Sequence, residues 1–111
     1  MDSYNIQPAE IDIYCRKGDR LLMSFAVQLN SEDYSLEGKE LKLTIRDFEG
    51  NVKHTFSSEG DSPALSMTTN IWSVSYSDGL NFIGSYKYDL QVDGSDTIQS
   101  GKWIVEKEYT E

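Results

Sequence analysis

The strongest constraint on this chain is a period of two. Apolar and polar residues alternate in run after run. Met23, Phe25, Val27 and Leu29 alternate with Ser24, Ala26 and Gln28, and Leu41, Leu43 and Ile45 with Lys42, Thr44 and Arg46. Trp72, Val74 and Tyr76 alternate with Ser73 and Ser75, and Tyr86, Tyr88, Leu90 and Val92 with Lys87, Asp89 and Gln91. Successive side chains of a strand point to opposite faces, so such runs are strands with one face buried. Shorter runs follow the same rule: Ile11 and Ile13, then Val52, His54 and Phe56, then Leu65 and Met67, and last Trp103 and Val105 with Lys102 and Glu106 facing out. No segment keeps a period of 3.6 over the ~11 residues of an average helix.

Turn chemistry punctuates the runs. Lys17-Gly18-Asp19, Phe48-Glu49-Gly50-Asn51, Thr69-Asn70 and Asp93-Gly94-Ser95-Asp96 supply the residues of tight turns. Residues 30–39 and 57–63 read as polar loops, the first anchored by Leu36, and residues 77–82 as a single helical turn capped by Ser77 or Asp78. Five- to nine-residue strands about every ten residues describe an all-β antiparallel sandwich of about seven or eight strands. Residues 1–111 form one domain, with residues 1–10 and 107–111 as its mobile ends. The Gly84-Ser85-Tyr86-Lys87-Tyr88 segment resembles a tyrosine corner, in which a hydroxyl ties a strand back to the preceding loop.

Composition narrows the function. With 19 acidic and 10 basic residues the net charge is −9. That field repels nucleic acid and anionic membrane surfaces, and it favours a basic protein partner or a divalent cation. The single cysteine, Cys15, permits no intrachain disulfide. Residues 1–5 have neither the basic nor the apolar stretch of a secretory signal, and no apolar run reaches the ~20 residues of a membrane span. The expectation is a protein made in a cytoplasm.

The residues for chemistry are sparse. His54 is the one histidine, placed on the alternating face of a hairpin strand, and Cys15 alternates with Ile11 and Ile13 as a buried thiol does. Together they cannot complete a zinc site of the usual kind, and nothing places them side by side as nucleophile and base. The carboxylates Asp47, Glu49, Asp78, Asp93 and Asp96 fall in turns. The tight Asp93-Gly94-Ser95-Asp96 turn lacks the spacing and ligand count of a calcium loop. Phosphate-loop and nucleophile-elbow motifs are missing. No catalytic residue, metal ligand or cofactor is expected, and no small-molecule ligand. Among the aromatic residues Tyr14, Tyr34, Trp72, Tyr76 and Trp103, the tryptophans fit the core, while Tyr14 and Tyr34 fall on polar faces or loops. Tyr14 and Tyr34 are therefore the candidate interaction residues, for a protein interface or, as the alternative function, for a carbohydrate-stacking platform.

One family has this order of features. Ile13 through Asp19 leads into Leu21-Leu22-Met23-Ser24-Phe25. Leu36-Glu37-Gly38-Lys39 precedes Leu41-Lys42-Leu43-Thr44-Ile45-Arg46-Asp47 and Gly50-Asn51-Val52. Gly84-Ser85-Tyr86-Lys87-Tyr88-Asp89-Leu90-Gln91-Val92 and Ser100-Gly101-Lys102-Trp103-Ile104-Val105-Glu106-Lys107 follow. Over residues 11–107 the chain resembles the Ig-like N-terminal domains of phage baseplate upper proteins and related tail or head-fibre components. The resemblance does not extend to the fibre-type region of that family, so receptor binding through a distal tip is not part of the expectation. The resemblance implies a non-enzymatic virion structural protein, a tail, baseplate, connector or capsid-decoration piece. Its partners would be other virion proteins or further copies of itself. Edge-strand pairing, through the first strand at residues 11–15 or the last at residues 103–105, is the expected mode of contact.

Overall fold

The computed structural model describes residues 9–29, 32–33, 35–61, 63–94 and 96–107. The alternating runs become strands: β1 (Ala9–Glu10), β2 (Ile13–Arg16), β3 (Leu21–Ala26), β4 (Gln28–Leu29), β5 (Glu32–Asp33), β6 (Leu41–Arg46), β7 (Val52–Ser57), β8 (Leu65–Thr68), β9 (Ile71–Tyr76), β10 (Gly84–Val92) and β11 (Asp96–Glu106). No helix occurs among the described residues. One sheet runs β7–β6–β10–β11, with β1 and β2 both on the far side of β11; the other runs β3–β9–β8, and β4 and β5 form a separate small hairpin. All pairings are antiparallel except those of β1 and β2, which run parallel to β11. The order β3–β9–β8 facing β11–β10–β6 is that of an Ig-like sandwich, with β7 added beside β6 as in variable-type domains.

The inward faces are the apolar halves of the alternation. Leu41, Leu43 and Ile45 of β6, Tyr88, Leu90 and Val92 of β10, Trp103 and Val105 of β11, and Trp72 and Val74 of β9 are buried together. Each large side chain so buried stabilises the fold by roughly 1.5–3 kcal/mol. Phe25 stacks on Trp72 at 4.9 Å, and Tyr88 meets Trp103 edge-on at 5.6 Å. Leu36 is buried and its N–H bonds to the Thr69 carbonyl, so it does anchor its loop.

A polar chain crosses this core. The Trp72 indole N–H donates to Gln99 Oε1 (3.1 Å), Gln99 Nε2 donates to the Tyr88 hydroxyl (2.9 Å), and that hydroxyl donates to the Ile11 carbonyl (2.6 Å). It joins the smaller sheet to the larger and the larger to the N-terminal strand. Gly101 makes the last step possible. It lies opposite Tyr88, and at φ +151° a Cβ there would collide with the Ile11 carbonyl oxygen. The strand is interrupted at Ile11 and Asp12, where the Asp12 carboxylate accepts the Lys102 N–H (3.0 Å), and resumes as β2 in the same register. No buried side-chain nitrogen or oxygen among the described residues lacks a partner.

The tyrosine corner is present: the Tyr86 hydroxyl donates to the Ile83 carbonyl at 2.7 Å. Four expectations are corrected. Residues 77–82 form no helical turn, because Gly79 takes φ +73° and presses on the Gly18 backbone, a close approach that no side chain could share. Residues 23–29 are not one strand. Val27 leaves the ladder to bond its N–H to the Asn70 carbonyl, and Gln28–Leu29 pairs with β5 inside what reads as a loop. Val52 does not share the face of His54 and Phe56. A bulge between Ile45 and Arg46 turns it outward, 56% exposed. The last strand is no edge, since β11 is flanked by β10 on one side and by β1 and β2 on the other. Ala9–Glu10 is paired to β11, and residues 1–8 and 108–111 lie outside the described residues.

The polar chain yields a prediction with two readouts. Tyr88→Phe leaves Gln99 Nε2 and the Ile11 carbonyl without their partner and should cost about 1–3 kcal/mol by denaturant unfolding at neutral pH. Burial also pushes the Tyr88 hydroxyl up to about 12. A folded-state value raised above the unfolded one gives stability that is complete below about pH 10 and is lost as pH rises towards 12. The native chain should therefore weaken across that window, and the phenylalanine variant should weaken less.

Candidate functional site

The two residues with nucleophile or base chemistry sit far apart. Cys15 is on β2 and His54 on β7, at opposite edges of the larger sheet with β11, β10 and β6 between them. Cys15 is half-buried, its sulfur accepting the Trp103 indole N–H at 3.3 Å. Burial pushes the thiol up, and the nearby Asp19 and Glu106 add to that, so the thiolate is scarce at neutral pH. His54 lies between aromatic rings, 4.5 Å from Phe56 and 5.2 Å from Tyr76. Burial holds it below its ordinary value, so it is neutral at pH 7. No hydroxyl or carboxylate among the described residues is hydrogen-bonded to it.

Two grooves mark the surface. One of about 650 Å³ lies on the outer face of the larger sheet where the N-terminal segment runs beside β11. Its wall carries Arg46, Lys87 and Lys102 against Glu10, Asp12 and Asp89. Arg46 and Asp89 pair at 3.2 Å. The cations and carboxylates are equal in number, so the groove has no net sign with which to select a phosphate or a carboxylate. The second, about 500 Å³, opens between the sheets at the β7 edge and contains His54, Phe56 and Tyr76 with Glu59 and Asp78 at its rim. Among the described residues no three His, Cys, Asp or Glu side chains are grouped to hold a metal ion.

The arrangement best suited to contact is the hairpin between β6 and β7. The Asp47 carboxylate accepts the N–H groups of Glu49 and Asn51 (2.9 Å each) and the Asn51 side-chain amide (3.1 Å). The Asp47 N–H bonds to the Asn51 carbonyl, and the Gly50 N–H, with Gly50 at φ +97°, to the Asp47 carbonyl. Those bonds, above all that from the Asn51 backbone, hold the Asp47 carboxyl below its usual range, so it stays ionised and the loop stays tied. The tied loop presents Phe48, 59% exposed, and the bulge presents Val52 on the same hairpin.

Of the candidate residues read from the sequence, Tyr14 points outward from β2 and is 60% exposed, on the edge strand as expected. Tyr34 lies outside the described residues. Trp72 and Trp103 are wholly buried, and neither can form a stacking platform. Phe48 and Val52 were missed, Phe48 as a turn residue and Val52 as part of an apolar face. The available signal was an aromatic residue between Asp47 and Gly50, where a tight Asx-type turn leaves it no core to enter.

The thiol chemistry is directly testable. At neutral pH Cys15 should react with a disulfide reagent at least ~10-fold more slowly in the folded chain than in denaturant, as burial and the raised thiol require. Equal rates would contradict the Cys15–Trp103 contact.

No known protein family matches the chain, and no curated protein does. Among solved structures, Drosophila OTK, extracellular domains 3–5, aligns with 92% of this chain at 19% identity and a TM-score of 0.38. The chain spans 34% of that structure's length.

Proposed function

We propose that this chain is a non-enzymatic structural protein of a bacteriophage particle, a tail, baseplate, connector or capsid-decoration piece, that acts by binding other virion proteins. The phage context comes from the sequence resemblance, and the mode of action from surface geometry. The observation that carries the binding reading is the tied Asp47–Asn51 turn, with Phe48 held out of the core at 59% exposure. An exposed aromatic on a loop already ordered by internal hydrogen bonds loses little entropy on docking, which is the property of a contact anchor. Tyr14 offers a second aromatic at the β2 edge. The net charge of −9 would speed encounter with a basic partner surface.

The test is capture of particle proteins by the purified chain, with cross-linking and mass identification. The native chain should retain a defined virion protein. Phe48→Ser should weaken that binding by about 2 kcal/mol, or roughly 30-fold, with unfolding unchanged. Capture of no particle protein would overturn the proposal.

A further inference from the structure

We propose that β3 is a pairing edge, through which two copies of this chain join antiparallel into one sheet continuous across the dimer. In the constant-type Ig order the first strand lies beside the strand equivalent to β3. Here the N-terminal strands lie on β11 of the other sheet, and β3 has β9 as its one ladder partner among the described residues. Among the described residues, its other edge therefore has no strand bonded to its backbone N–H and carbonyl groups.

The remaining sheet edges carry the devices that discourage strand addition. β2 ends at Arg16 and runs into Lys17, β7 carries Lys53 and the bulge, and β8 has only four residues. β3 has none of these: its six residues, LLMSFA, include no charge, no proline and no bulge. Its core-facing Met23 and Phe25 are only half-buried, so the described residues leave this side of the sandwich partly open, and outward-facing Leu22 is 65% exposed.

Charge selects the occupant. A basic partner gains nothing at an uncharged strand. Two copies of a chain carrying −9 repel wherever carboxylates meet, and β3 keeps carboxylates out of the contact. An antiparallel strand is also self-complementary about a two-fold axis. Centred on Ser24, the pairing keeps the outward faces on one side. It sets Leu22 opposite Ala26 and Met23 opposite Phe25, a sulfur–aromatic contact that covers both half-buried side chains.

The inference deepens the assembly reading and rests on it, but the surface differs, so the two fail separately. Sedimentation velocity over roughly 5–200 µM should show the native chain passing from 12.6 kDa to twice that mass, in the weak range expected of a small interface. Leu22→Lys, and separately Ser24→Lys, should raise the dissociation constant at least ~10-fold with near-ultraviolet circular dichroism unchanged. Either lysine lowers the net negative charge, so lost association could not be blamed on greater repulsion between the chains as wholes; it would report the local contact at β3. Tyr14→Lys and Phe48→Ser should leave the dimer intact. A chain that stays at 12.6 kDa throughout, or equal weakening by Leu22→Lys and Tyr14→Lys, would overturn the β3 proposal. A β3 dimer that captured no virion protein would support the pairing while removing the phage role.

Discussion

The hydrogen-bonded chain from Trp72 through Gln99 and Tyr88 to the Ile11 carbonyl is the interaction on which the rest of this structure depends. Ig-like sandwiches of the antibody type join their sheets with a buried disulfide packed against a tryptophan. This chain has one cysteine and cannot. Its two tryptophans lie instead on β9 and β11, and the link between the sheets is the polar chain, which crosses from Trp72 of β9 to Gln99 of β11. The first two links are buried and the third partly so, which makes them stronger than in water and costly to leave half-made. A core of leucine, valine and isoleucine is non-directional and would hold the sheets together. The polar chain specifies how they sit and where the N-terminal strand lies.

The position of that strand then decides what the molecule exposes. Held at Ile11 by Tyr88 and at Asp12 by the Lys102 N–H, the chain runs parallel to β11 and closes that edge. The opposite consequence is at β3, whose six residues carry no charge and whose one ladder partner among the described residues is β9. The far edge, β7, is twisted by its bulge and turns Val52 outward. Contact surface thus follows from strand placement, while the reactive groups end up apart: Cys15 at one edge beside Trp103, His54 at the other between aromatic rings.

Much of the fold was legible because alternation encodes which face is buried. The core of β6, β9 and β10, the hairpin turns and the Tyr86 corner all follow from local pattern. What the sequence hid was non-local. Parallel pairing of β1 and β2 with β11 depends on Gly101 lying flat beside Ile11, and no two-residue pattern reports which strands meet. The bulge at Ile45 and Arg46 breaks the period that placed Val52 inside. The helical turn read at residues 77–82 fails because Gly79 meets the Gly18 backbone, a contact between segments far apart in sequence. Of the candidate site, Tyr14 was readable from its polar-face position. Phe48 was not, because an aromatic in a turn reads as an irregularity unless the hydrogen bonds of Asp47 are known.

Hydrogen exchange at the Trp72 indole N–H, followed by NMR, tests the central claim most directly. If the polar chain joins the sheets, this proton should exchange only through global unfolding, with the same free energy as the most protected amides of β10 and β11. Exchange through a local opening, several kcal/mol easier than that of those amides, would show that the sheets are held without it.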